Sequence, residues 1–129
     1  MIVLDASVLI AHLDGDDRHH DRATELLMAA ADGGLGASPI TLAEVLVGPA
    51  RAGLLEQANS ALHTLGVATI PVAEDAPVRL ALLRARTRLK LPDCCVLLAA
   101  ETTRSEIATF DNHLVRAATE LGLMVRTGP

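Results

Sequence analysis

Short apolar runs alternate along this chain with longer stretches whose apolar residues recur at helical spacing, and that alternation narrows the fold more than any other feature. Residues 2–4, 35–37, 67–72, 107–110 and 123–126 read as strands. Residues 6–13, 19–31, 39–49, 54–65, 76–89, 93–103 and 112–121 read as helices. In the second helix Ala23, Leu26, Leu27 and Ala30 share one face, and in the fifth Val78, Leu82, Ala85 and Leu89 are expected to face inward. The sixth is apolar almost all round and is expected to be buried. Strands alternating with helices predict an α/β fold, its mostly parallel sheet covered on both faces. With no linker, repeat or low-complexity segment, one domain over residues 1–129 is expected.

Composition removes several function classes. Apolar residues make up 50% of the chain, yet there is one Phe and no Tyr or Trp. Reading single strands by base stacking is therefore not expected. The aliphatic surplus points either to an apolar interface or to an Ala-rich helical core. The first residues lack the basic region of a signal peptide, and no apolar run approaches the ~18 residues of a membrane span. A soluble, cytoplasmic protein with no membrane partner is expected. Cys94 and Cys95 are adjacent and match no zinc or redox spacing, so they read as buried small hydrophobes.

Four acids fall where one predicted element gives way to the next: Asp5, Glu44, Asp93 and Asp111. Each has a structural reading. Asp5 and Asp111 could cap helices, Asp93 suits the first turn after Pro92, and Thr41-x-x-Glu44 fits a capping box. Taken together they invite another. Asp5 and Asp111 follow strands, and the carboxyl ends of parallel strands form the ligand crevice of open sheets. Converging carboxylates repel unless a cation joins them or some take up protons. Ser7 and Thr109 stand two residues from Asp5 and Asp111, where hydroxyls could orient a carboxylate. An all-oxygen set suits Mg²⁺, with Mn²⁺ as a substitute, and metal-assisted phosphodiester hydrolysis is the reaction expected. Net charge is −5, which argues against grip on nucleic acid through general basicity. Two divalent ions would bring it to about −1.

The set Asp5-x-Ser7, Glu44, Leu91-Pro92-Asp93 and Thr109-x-Asp111, with Ala99-Ala100 beyond, resembles the PIN-domain ribonucleases, and among them the VapC-type toxins of toxin–antitoxin pairs. The resemblance spans nearly the whole chain. It implies a three-layer sandwich around a roughly five-stranded parallel sheet, a Mg²⁺-dependent endoribonuclease acting on structured RNA, a homodimer, and neutralisation by a small cognate antitoxin. Carried over by position, Asp5, Glu44, Asp93 and Asp111 form the acidic tetrad, with Asp5 and Asp93 foremost as metal ligands. Ser7, Thr109 and Asn112 would support them. Many relatives have a further acid just after Thr-x-Asp, whereas Asn112 and His113 follow here, so a second metal site is in doubt. The rival reading is a non-enzymatic acidic pocket, either a receiver-like domain or a degenerate PIN module. No lysine follows Lys90, which disfavours the receiver.

The stretch holding Arg79, Arg84, Arg86, Arg88 and Lys90 is the most basic in the chain. On one continuous helix Arg79, Arg86 and Lys90 would form a stripe, and Arg86 and Lys90 are candidate RNA-backbone contacts. Arg18, His19 and His20 could touch substrate at the mouth of the cleft, or simply decorate a helix start. Phe110 reads as core. Val45-Leu46-Val47 with Leu54 and Leu55 could either pack inward or line a groove for an antitoxin helix.

Overall fold

Alternation along a strand sends Ile2 and Leu4 to one side and Val3 to the other, and the two cores of the molecule divide in that way. Ile2 and Leu4 join Val8, Leu9, Leu26, Leu27 and Leu35, whereas Val3 joins Val96, Leu97, Ile107 and Leu114. The computed structural model describes residues 1–129. Its strands are β1 (Ile2–Leu4), β2 (Leu35–Ala37), β3 (Val67–Thr69), β4 (Glu106–Ala108) and β5 (Val125–Arg126). They form one sheet in the order β3-β2-β1-β4-β5, and every pairing is parallel. Helices α1 (Ala6–Leu13), α2 (His20–Ala30), α3 (Pro39–Arg51) and α4 (Leu55–Leu65) supply the first core. Helices α5 (Ala76–Thr87), α6 (Leu91–Thr103) and α7 (Asn112–Glu120) supply the second. The expected three-layer α/β architecture is therefore present. No helix is long and apolar enough to cross a membrane.

Strand order reverses at β1. From it the chain builds outward through β2 to β3 on one side and through β4 to β5 on the other. Loops leaving β1 and β4 diverge to opposite faces, which opens a crevice at their carboxyl ends. Helix α6 is buried at every position from Cys94 to Ala100, as its all-round apolar sequence requires. Each fully buried aliphatic side chain contributes about 1.5–3 kcal/mol, so α6 holds Asp93, in its first turn, on a rigid support. Cys94 and Cys95 are free and buried within it.

Several expectations differ from the structure. Helix α5 does not turn Val78 and Leu82 inward; they are 65% and 66% exposed. Ala76, Leu80 and Leu83 pack inward instead. Positions 76, 80 and 83 are also helically spaced, and contact with α6 selects that stripe. Helix α3 runs on to Arg51 through Pro49, and the Ala52 and Leu54 N–H groups close back on the Gly48 and Pro49 carbonyls. Helix α5 stops at Thr87 because Arg88 adopts a left-handed conformation, φ 63°. Lys90 is consequently the N-cap of α6 and not part of an Arg79–Arg86 stripe. Strand β3 is shorter than residues 67–72, ending before Pro71, which has no N–H to donate.

Candidate metal centre

Asp5 occupies the N-cap position of α1 without capping it. Its Oδ2 accepts two hydroxyl hydrogen bonds instead, from Ser7 Oγ at 2.7 Å and from Thr109 Oγ1 at 2.7 Å. Those hydroxyls are themselves fixed. Ser7 Oγ accepts from the Phe110 N–H at 3.0 Å, and Thr109 Oγ1 accepts from the Asp111 N–H at 3.0 Å. Asp5 and Thr109 are both buried, at 6% and 0% exposure. The ends of β1 and β4 are thus stitched together across the switch point, with the Asp5 N–H bonded to the Ala108 carbonyl at 2.9 Å. Locking one carboxylate oxygen in this way leaves Oδ1 as the acceptor open to a ligand.

The other acids gather around Asp5 by different routes. Asp93 is half-buried at the N-terminal turn of α6, and Asp111 caps α7, accepting from the His113 N–H at 2.8 Å. Glu44 lies one and a half turns into α3, whose cap is Ser38, bonded to the Ile40 N–H at 3.3 Å. No Thr41–Glu44 capping box forms, so Glu44 is free to face the cleft. Burial raises the Asp93 carboxyl above its ordinary range, and the charges of Asp5 and Asp111 push it further while Lys90 and His113 oppose. Glu44 is raised too, by loss of solvent and then by Asp93 and Asp5, again opposed by Lys90. Since Glu44 is largely exposed, repulsion from its neighbours is the more telling cause. Asp93 is the hub, because Asp5, Glu44 and Asp111 are all coupled to it.

The donor set fits a hard cation. Glu44 and Asp93 accept no hydrogen bond and make no ion pair; the cluster's protein partners fall on Asp5 and Asp111 alone. No group of three His, Cys, Asp and Glu side chains stands close enough together to hold a metal ion. Mg²⁺ keeps several waters and binds through one or two carboxylates, so a pair such as Asp5 and Asp93 would be enough.

These shifts fix the sign of a pH effect. Stability linked to protonating Asp93 and Glu44 is complete below their ordinary values of 3.8 and 4.5. It is lost as pH rises through the raised folded values. In EDTA, Asp93→Asn is therefore expected to melt higher than the parent at neutral pH, with the gap closing toward about pH 4. Thermal denaturation across that range measures it, and a gap that does not depend on pH would contradict the repulsion.

Other sequence candidates separate. Lys90 is exposed, unpaired and felt by both Glu44 and Asp93. Arg86 instead lines a cavity of about 170 Å³ with Arg79, Leu82, Leu83 and Glu101. Asn112 is exposed and its side chain bonds to none of the acids. His113, which the sequence offered only as a missing acid, sits 3.5 Å from Asp111 Oδ1. His20 bonds to the Ala11 carbonyl at 3.0 Å, away from the acids. His19 packs on Phe110, with ring centroids 5.1 Å apart, and Arg22 lies over the same ring at 4.9 Å. Arg22 was missed because its partner is far away in sequence. Val45 is core, while Val47, Leu54 and Leu55 are exposed.

Comparison with known proteins agrees with the fold. No curated protein sequence matches the chain. A chain of a toxin–antitoxin complex from Klebsiella pneumoniae superposes with a TM-score of 0.75 at 25% identity, over 98% of this chain and 97% of that one. VapC20 of Mycobacterium tuberculosis, a toxin that cleaves the sarcin–ricin loop, gives 0.81 at 18% identity over 100% of both chains. A chain of Rickettsia felis VapBC2, bound to a promoter DNA fragment, gives 0.77 at 18% over 100% of both. The PIN domain model matches residues 2–120. With five parallel strands, a switch-point crevice and that match over most of its length, the chain belongs to the PIN domain family.

Proposed function

We propose that this chain is a divalent-metal endoribonuclease toxin of VapC type, which hydrolyses phosphodiester bonds in structured RNA and is held in check by a small cognate antitoxin. The observation that carries the reading is the Asp5 clamp: a buried carboxylate with one oxygen locked by two hydroxyls, set among three further acids at the switch point. The PIN family favours a nuclease over a receiver-like pocket, and the toxin–antitoxin neighbours favour an antitoxin partner.

Asp5 and Asp93 would hold Mg²⁺, or Mn²⁺ in its place, with Asp111 and Glu44 completing the ring of charge. Such an ion supplies an acidified water and neutralises phosphate oxygens. Ser7 and Thr109 keep Asp5 from rotating, which preserves the geometry on which in-line attack depends. Glu44 is exposed and free of hydrogen bonds, so it can take the proton of the attacking water. Lys90 brings an ammonium to the side of the cleft where the phosphate charge would lie. The products expected are a 5′-phosphate and a 3′-hydroxyl. Exposed Val47, Leu54 and Leu55, at the α3–α4 corner, are suited to an amphipathic antitoxin helix. A homodimer would bury part of the remaining apolar surface, such as Val78 and Leu82.

Incubating pure protein with structured RNA in Mg²⁺ or in EDTA tests the function. Cleavage in Mg²⁺ alone, with 5′-phosphate ends, is expected. Metal-independent cleavage or 2′,3′-cyclic phosphate ends would contradict it, and a degenerate module would bind RNA without cutting.

A further inference from the structure

Phe110 does more than fill space beside the acids. Its N–H is tied to Ser7 Oγ, so its backbone belongs to the Asp5 clamp, and its side chain reaches α2. There it meets the His19 ring at 5.1 Å and the Arg22 guanidinium at 4.9 Å from the ring centroid. Arg18 Nε in turn donates to His19 Nε2 at 3.2 Å. One aromatic ring therefore holds Arg22 and His19 to the end of β4 that leads to Asp111, in a segment where Asp14, Asp16, Asp17 and Asp21 outnumber Arg18 and Arg22. Neither arginine is spent on a carboxylate, since the molecule's only ion pairs are His113–Asp111 and Arg126–Glu106.

The charge pattern gives this corner a purpose. A chain of net charge −5 with acids concentrated in its cleft repels a polyanion unless cations flank the cleft. Lys90 supplies one flank, beside Glu44 and Asp93. On the Phe110 side the available cations are Arg22 and Arg18, which pair with none of the surrounding Asp14, Asp16, Asp17 and Asp21. Arg22 is exposed, with its guanidinium carbon over the Phe110 ring and Nε beside Gly128. No hydrogen bond of the molecule uses the guanidinium N–H groups, and the ring contact reduces the freedom lost on binding. Edge donors in a planar fork match the paired oxygens of a phosphodiester.

We propose that Arg22, supported by Phe110 and flanked by Arg18 and His19, is a phosphate-binding subsite for the RNA backbone, so that the strand crosses the cleft between this corner and Lys90. The subsite rests on the nuclease reading and adds a direction to it. Its ligand is an RNA phosphodiester lying beyond the cut bond. Bases are not read there, because the ring face that could stack on one carries Arg22.

The test uses the full chain carrying Asp93→Asn, which should not cut, and a fluorescein-labelled RNA hairpin followed by anisotropy over a range of salt. Adding Arg22→Gln is expected to weaken binding about three- to fivefold and to lower the slope of log K against log salt by roughly 0.7–0.9. Arg22→Lys should keep the slope, and Phe110→Leu should weaken binding less than Arg22→Gln because the charge stays. Arg104→Gly is the control. It removes a charge at the opposite end of α6, about 16 Å along the helix from Asp93, at a left-handed residue (φ 53°) that suits glycine. Wild-type cleavage together with unchanged affinity and slope in Arg22→Gln overturns the subsite alone. An equal loss in Arg104→Gly also overturns it, since binding would then follow net charge. Absence of both wild-type cleavage and hairpin binding removes the nuclease reading and the subsite with it.

Discussion

Asp5→Asn is expected to slow RNA cleavage on the order of 10³-fold, because several kcal/mol of charge stabilisation are withdrawn and each ~1.4 kcal/mol is a factor of ten. The fold should survive. An asparagine carbonyl can take the place of Oδ2 and accept from Ser7 and Thr109, both at 2.7 Å in the parent. The amide NH₂ then turns toward the cleft, presenting donors where a cation needs an acceptor. Asp5→Ala would be a poorer probe, since it strands two hydroxyls in a buried site at a cost of about 1–3 kcal/mol. Single-turnover rates on one RNA, with thermal melts of both proteins, make the comparison. An Asn variant that folds normally and cuts at the parent rate would remove Asp5 from the mechanism.

Thr109→Val is expected to raise the Mg²⁺ concentration needed for half-maximal cleavage about 10- to 100-fold. Valine is close to threonine in shape, so the packing of a residue with 0% exposure is kept. What goes is the donor to Asp5 and the acceptor for the Asp111 N–H. Asp5 is then held by Ser7 alone and can turn, and Asp111 loses the bond that sets the start of α7. Leaving the Asp111 N–H without its partner costs a further ~1–3 kcal/mol of stability. Thr109→Ser, which restores the hydroxyl, should recover most of the metal affinity. If Val and Ser variants show the same Mg²⁺ dependence as the parent, the hydroxyl clamp has no part in metal binding.

Much of the architecture is legible in the sequence because it is written locally. The runs at 2–4 and 35–37 are observed as strands with those limits, and Gly66 ends α4 at φ 77° as a helix-stopping glycine should. The inner face of α5 was not legible. Val78, Leu82, Ala85 and Leu89 make as good a stripe as Ala76, Leu80 and Leu83, and only packing on α6 decides between them. Lys90 and Arg86 look equivalent until Arg88 breaks the helix between them.

The site divides in the same way. Four acids at element boundaries could be counted in the sequence, but each had a capping role open to it. For Asp111 that role is real. For Asp5 it is not, and the partner that decides the matter lies 104 residues away, at Thr109. Arg22 was invisible for the same reason, since nothing local to α2 announces Phe110 as its support. Side chains joined across the sheet's switch point are set by topology, which local pattern does not contain.

Isothermal titration of Mg²⁺ into the metal-free protein tests the central claim, that these carboxylates form one cation site, most directly. The parent is expected to bind Mg²⁺ and, at mildly acid pH, to release protons as it does so, because Asp93 and Glu44 are raised above the ordinary carboxylate range. Asp5→Asn and Asp93→Asn should each abolish that binding, both heat and protons. Saturable binding of equal strength in the parent and in both variants would contradict the account.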